Sequence, residues 1–208
     1  MKTILIIVRH GETEWNRMGK QQGHLDSPLS ENGIRQAEAI ASAVRTGFDL
    51  VISSDLGRAL ATAEIIMAQC GLPILKDQGL RERHLGMLQG FTMEEFAKAH
   101  PKKTAQFVSG DPDFVIPEGE SIRQRYDRAI RTFDRIASEH QGKRIMVVTH
   151  GGILESLLRH TLGIPLELKR SFSLINGSLN TFSYEQKWIL ESWGIISHLE
   201  GLRALDDF

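Results

Sequence analysis

Thr3-Ile4-Leu5-Ile6-Ile7-Val8-Arg9-His10-Gly11-Glu12-Thr13 opens with six β-favouring side chains in unbroken succession and then turns polar at once. A strand with one wet face would alternate; a continuous run fits a strand covered on both faces, as in a parallel sheet between helices. The run is too short to span a bilayer and no small-residue cleavage site follows it, so it predicts a buried strand and neither a membrane segment nor a leader. At the carboxyl end of that strand stand Arg9 and His10.

Outward from this stretch, apolar runs of strand length alternate with segments of helical period. Leu29–Arg45 reads as a helix with Ser30 as N-cap and Ile34, Ala37, Ala41 and Val44 at three- and four-residue steps. Asp49–Ser53 reads as a strand, after which Ser54 is placed to cap a helix carrying Leu56, Leu60, Ala63, Ile66 and Met67 and ending at Gly71. A short strand is expected around Pro73–Leu75. Ser121 and Gln124 form a capping-box pattern ahead of a stripe of Ile122, Tyr126, Ile130, Phe133 and Ala137. Arg144–Val148 is a further buried strand, followed by Gly151-Gly152 and a helix to about Leu162, and Ser171–Gly194 alternates like a strand pair turning at Asn176-Gly177. This alternation predicts an α/β fold: a three-layer αβα sandwich with a mostly parallel central sheet. Between residues 89 and 118 the pattern weakens to short helical pieces, read as a small helical cap inserted in a single domain covering residues 1–208.

Composition narrows the function classes. The 208 residues carry 25 Lys and Arg against 26 Asp and Glu, a formal charge of −1, which gives no electrostatic footprint for nucleic acid. With 41% hydrophobic residues the chain can build a core, and its one cysteine, Cys70, rules out an internal disulfide or a cysteine-rich zinc module. The histidines show no metal-ligand spacing. A cytoplasmic protein without membrane contact is expected. A homodimer through an exposed strand near the C-terminus is compatible with the pattern.

The chemistry gathers where strands end. The first runs into Arg9-His10-Gly11-Glu12-Thr13, the second through Ser53-Ser54-Asp55 to Arg58, and the Arg144–Val148 strand into Thr149-His150-Gly151-Gly152. Ligands of open α/β sheets bind beyond the carboxyl ends of the strands, where helix N-termini offer unpaired N–H groups to anions and arginine forks match phosphate oxygens. Two arginines, two histidines and a glycine-rich helix start at one crevice point to a phosphate group. Asp111-Pro112-Asp113-Phe114-Val115 has the look of an aspartyl-phosphate motif, but no adequate strand precedes it. Nucleotide-cradling loops of the G-x-x-x-x-G-K-[ST] or G-x-G-x-x-G type are absent.

Four runs, VRHGETEWN (Val8–Asn16), SSDLGRALATAE (Ser53–Glu64), LRERHLGMLQG (Leu80–Gly90) and VTHGG (Val148–Gly152), resemble in kind and in order the histidine phosphatase superfamily, also called phosphoglycerate mutase-like. The resemblance implies that His10 is the nucleophile taking up the phosphoryl group. It implies that Arg9, Arg58 and His150 surround the phosphoryl oxygens, and that Glu82 protonates the leaving oxygen and then activates water. Asn16, Gln22 and Gly151 would contribute further phosphate contacts. Cationic side chains supply the charge in such a site, so neither metal nor cofactor is expected, and the partner is a phosphorylated small molecule. The activity so implied is a metal-independent phosphomonoesterase working through phosphohistidine. The alternative is a phosphoglycerate mutase, which moves the phosphoryl group between hydroxyls by way of the same intermediate. The chain between Glu82 and His150 is shorter than in the cofactor-dependent mutases. His24-Leu25-Asp26-Ser27-Pro28-Leu29 is nearer the phosphatase branch, and Leu88-Gln89 stands where the family often has Trp-Glu.

Overall fold

The computed structural model describes residues 1–44, 47–68, 70–204 and 206. The opening run forms strand β1 (Thr3–Arg9), and β2 (Leu50–Ser53), β3 (Ile74–Lys76) and β4 (Arg144–Thr149) lie parallel with it. A hairpin of β5 (Leu179–Tyr184) and β6 (Trp188–Ile195) adds antiparallel to β1, giving the order β3-β2-β4-β1-β5-β6. The register of β1 on β4 runs without a break from Ile4–Arg144 to Arg9–Thr149. The two strands that end in Arg9-His10 and Thr149-His150 therefore finish side by side in the middle of the sheet.

Among the described residues the α-helices are, in chain order, α1 (Glu14–Arg17), α2 (Glu31–Ala43), α3 (Gly57–Met67), α4 (Met93–Ala99), α5 (Pro101–Val108), α6 (Ile122–Glu139) and α7 (Gly151–Leu162). The pleat of β4 assigns them to layers, since successive side chains point to opposite faces. Ile145 and Val147 join a cluster with Phe133 and Ile136 of α6 and Leu154 and Leu157 of α7. Met146 and Val148 join another with Ala37 and Ile40 of α2 and Ala59, Ala63 and Ile66 of α3. The result is the three-layer sandwich, each buried Leu, Ile or Phe contributing about 1.5–3 kcal/mol by its removal from water. Among the described residues no helix is long and apolar enough to cross a membrane.

Local signals explain most boundaries. Ser30 caps α2 by accepting from Gly33 N, and Ser121 with Gln124 makes the reciprocal capping box of α6. The expected end of the first long helix, Arg45, lies outside the described residues. Two expectations need correction. Ser54 does not cap α3, which starts at Gly57 after a Leu56 that has no capping bond of its own; Asp26, from a distant loop, accepts instead from Gly57 N at 2.6 Å and Arg58 N at 3.3 Å. Asn176-Gly177 does not turn the final hairpin, whose strands are joined by residues 185–187. It packs behind β1, with Gly177 N donating to Arg9 O and Asn176 Nδ2 to His10 O, both at 3.0 Å.

Residues 89–118 contain α4 and α5. Phe96 and Ile116 meet Leu85 and Leu88 in a small cluster separate from the two that flank the sheet. Asp111 and Asp113 sit in an irregular stretch that follows α5, not at a strand end.

Candidate active site

The end of β1 carries Arg9 and His10 into a small cleft, which Arg58, Glu82, Asn16 and Gln22 also line. His10 is held there through its own backbone and that of Gly11. Its carbonyl accepts from Asn176, its N–H donates to Thr149 O at 2.9 Å, and the next residue's N–H donates to Thr62 Oγ1 at 3.1 Å. Glycine is required at position 11, because a Cβ there would lie 2.6 Å from Gly33 O on the first turn of α2.

The imidazole is fixed in one protonation pattern. Nδ1 lies 2.8 Å from Gly11 O, which can only accept, so Nδ1 carries the proton. Nε2 lies 3.3 Å from Nε of Arg58, which can only donate, so Nε2 keeps its lone pair. Burial, followed by the charges of Arg58 and Arg9, pushes the His10 pKa well below 6.5, with the Gly11 hydrogen bond opposing. The ring is therefore neutral near pH 7, with a lone pair at the cationic side of the cleft.

Arg58 is 2% exposed and held from three directions. Nη1 donates to Asp26 Oδ1 at 2.8 Å and to Leu25 O at 3.1 Å, and Nη2 to Gly23 O at 2.8 Å. Asp26 thus serves twice, anchoring the guanidinium and capping the helix that carries it. Arg9, as deeply buried, donates through Nη1 to Leu174 O.

Glu82 reaches the cleft from the loop after β3. Its Oε1 accepts from Arg83 N at 2.7 Å and its Oε2 from Gly152 N at 2.9 Å, which fixes the carboxyl plane. A side chain on Gly152 would collide with this carboxylate and with Arg125. The close approach that the Gly-Gly pair permits is thus made by Glu82. His24 Nε2 and Arg128 Nη2 hold the Glu82 carbonyl at 2.9 and 3.1 Å.

His150 and Gly151 stand behind this wall, both buried and outside the cleft lining. The His150 ring centroid is 5.2 Å from that of His10, and its Nε2 shares a hydrogen bond with Ser54 Oγ at 2.8 Å. Nδ1 is buried without a hydrogen-bond partner, and burial first, then Arg58 and His10, lowers the pKa well below 6.5. Asn16 and Gln22 reach the cleft differently. Asn16 Oδ1 accepts from Thr13 N at 2.9 Å and so caps α1, whereas Gln22 Oε1 is buried with no hydrogen-bond partner.

Sequence reasoning did not single out Asp26, Ser54, Asn176 or Lys20 for the site. Lys20 lines the cleft with its Nζ 6.0 Å from the Trp15 ring, and a single lysine in a polar loop gives no advance signal. Asp26 lay within a quoted run, but its partner is thirty-two residues away. Among the described residues no group of three or more His, Cys, Asp or Glu is placed to hold a metal ion.

Comparison with known proteins gives concordant results. Residues 5–196 match the model of the histidine phosphatase superfamily (branch 1). Phosphoglycerate mutase-like protein 4 of Arabidopsis thaliana is 42% identical over 202 residues, covering 94% of this chain and 86% of that protein. The metal-independent phosphoserine phosphatase of the same plant is 41% identical over 211 residues, covering 98% and 86%. Among solved structures, a phosphoserine phosphatase from Entamoeba histolytica in complex with 3-phosphoglyceric acid superposes with a TM-score of 0.84 at 31% identity, covering 95% of this chain and 99% of that one. With β1 and β4 presenting paired histidines at the centre of the sheet and a match that runs nearly end to end, the chain belongs to the histidine phosphatase superfamily.

Proposed function

We propose that this protein is a metal-independent phosphomonoesterase that hydrolyses a small phosphorylated metabolite through a phosphohistidine at residue 10. The observation that carries the reading is the locked imidazole. A proton held on Nδ1 by Gly11 O leaves the Nε2 lone pair directed at the wall where Arg58 would hold a phosphoryl group.

In the first step the Nε2 lone pair attacks phosphorus, the N–P bond forms and the ester P–O bond breaks. The departing oxygen takes a proton from the Glu82 carboxyl, which spares the reaction a free alkoxide. Arg9 and Arg58 offset charge on the three equatorial oxygens of a loose transition state. Because these guanidiniums are already oriented, by Leu174 O and by Asp26, little reorganisation remains when substrate arrives. Water then attacks phosphorus and gives its proton to Glu82 as the N–P bond breaks, so phosphate leaves and both groups return to their starting states.

A mutase differs only in what accepts the phosphoryl group from His10. Hydrolysis is favoured because Gln21, Glu82 and Leu85 line both the cleft and a second, larger cavity, which puts open space for water beside the intermediate. The test is phosphate release from O-phosphoserine and 3-phosphoglycerate in the presence of a strong chelator, with and without 2,3-bisphosphoglycerate. Turnover to free phosphate that persists in chelator is expected. Loss of activity that a divalent metal restores, or isomerisation of 3-phosphoglycerate with little free phosphate, would overturn the reading.

A further inference from the structure

Beyond Glu82 lies a chamber of about 430 Å³, larger than the phosphate cleft, and Gln21, Glu82 and Leu85 line both. Its wall is formed by Met93 of α4, Phe107 and Val108 of α5, and Ile122 of α6. A helix on a folded protein ordinarily buries one stripe, yet α5 has no fully buried residue, and Val108 at its end is 66% exposed. The Phe107 ring is held in place by the Arg83 guanidinium, 5.7 Å from its centroid.

We propose that this chamber receives the leaving alcohol, and that the preferred substrates are phosphomonoesters of bulky apolar alcohols. The inference rests on the phosphohistidine reading. If phosphorus sits at His10 and the ester oxygen meets Glu82, the carbon skeleton attached to that oxygen continues along the wall that Glu82 shares with the chamber. Its apolar surface then replaces water against Met93, Phe107, Val108 and Ile122.

The charged floor does not call for a second anion. Each guanidinium at this floor, Arg83 and Arg125, is committed to groups within the protein. Arg83 donates to Glu120 O at 2.8 Å and Phe114 O at 3.3 Å, and Arg125 meets Glu155 Oε2 at 3.3 Å while Arg159 holds the other carboxylate oxygen at 2.8 Å. Arg125 Nε has no hydrogen-bond partner but is sealed from solvent, and so from the chamber. The acid groups of phosphoserine or phosphoglycerate would gain little there, whereas a hydrocarbon would gain its full burial.

Straight-chain alkyl phosphates from ethyl to octyl test the proposal, because the acidity of the alcohol is nearly constant along the series and only apolar surface changes. The expected kcat/KM rises by about fourfold for each methylene that becomes buried, until the chamber is filled, and exceeds that of O-phosphoserine by at least about tenfold. Val108→Asp should flatten the series. Val108→Asn, which adds polarity without charge, should flatten it too and thereby separates lost apolar contact from repulsion of the phosphoryl group. A flat series in a protein that hydrolyses O-phosphoserine would overturn the chamber's role and leave the phosphatase reading standing. A rising series indifferent to both variants would move the alcohol elsewhere. Failure to hydrolyse any ester, with no phosphate on the protein, would overturn the phosphatase reading itself.

Discussion

The two cavities on either side of Glu82 are built in opposite ways. Around His10 the strand ends, Arg58 and Asp26 are tied by hydrogen bonds that cross long stretches of sequence, and His10, Arg9 and Arg58 are each 2–3% exposed. Around the chamber the wall is apolar, partly open and carried by two short helices with a small cluster of their own. Reaction chemistry needs fixed geometry and tolerates no substitution, whereas an apolar wall can be rebuilt from many side chains of similar volume. The phosphate end therefore specifies what is done, and the chamber what it is done to.

That contrast can be broken most sharply at His10. His10→Ala should lower kcat by about 10⁴-fold or more with every ester, because no other side chain supplies the lone pair; initial rates with O-phosphoserine measure it. Glu82→Gln keeps the size of the side chain but has no acid proton to give, and its amide nitrogen can accept from neither Arg83 N nor Gly152 N, so one of those two contacts is lost; it should cost about 10²–10⁴-fold. The loss should be smaller for an aryl ester, whose leaving oxygen needs less help, and equal losses for alkyl and aryl esters would contradict the acid role. For stability, Phe133→Ala in the layer of α6 should cost about 3–5 kcal/mol, and Phe107→Ala in the chamber wall about 1 kcal/mol. Urea midpoints compare the two. Asp26→Asn should lower kcat/KM by about 10- to 100-fold through misplacement of Arg58, with most of the effect common to all substrates.

A further effect concerns pH. His10 and His150 both have pKa values lowered by burial, so the unfolded chain binds protons near pH 6.5 that the native protein refuses. Stability is then full above about 6.5 and declines as pH falls below it. Urea unfolding at pH 7.5 and pH 5 checks the sign. In the double variant His10→Asn/His150→Asn the decline over that interval should shrink.

The sequence was readable where one short segment contains both the instruction and its result. The unbroken Thr3–Val8 run, the Ser30 and Ser121 caps and the Gly151-Gly152 helix start each depend on neighbours a few residues away. The four motif runs led to Arg9, His10, Arg58 and Glu82, which the fold brings to one cleft. The misreadings have the opposite character. Ser54 has the side chain of an N-cap, but its hydroxyl is engaged by His150 Nε2, across ninety-six residues, and Asp26 takes over the helix start. Asn176-Gly177 does make a tight turn, with Ser178 N donating to Ile175 O at 3.1 Å, but the turn leads into β5 beside Arg9 and His10 and does not join the two strands of the hairpin. The apolar chamber was hidden for a third reason. Phe107 and Val108 close the short proline-started helix α5, and only their placement beside Glu82 gives them meaning.

Everything in this account depends on a phosphoryl group passing through one nitrogen. Mixing the protein with O-phosphoserine, quenching in base within the first turnover and mapping phosphate on proteolytic peptides would settle the matter directly. The account predicts an acid-labile, base-stable phosphate on the peptide containing His10, absent when that residue is alanine. Rapid product formation with no phosphate on the protein, or with phosphate on another residue, would contradict it.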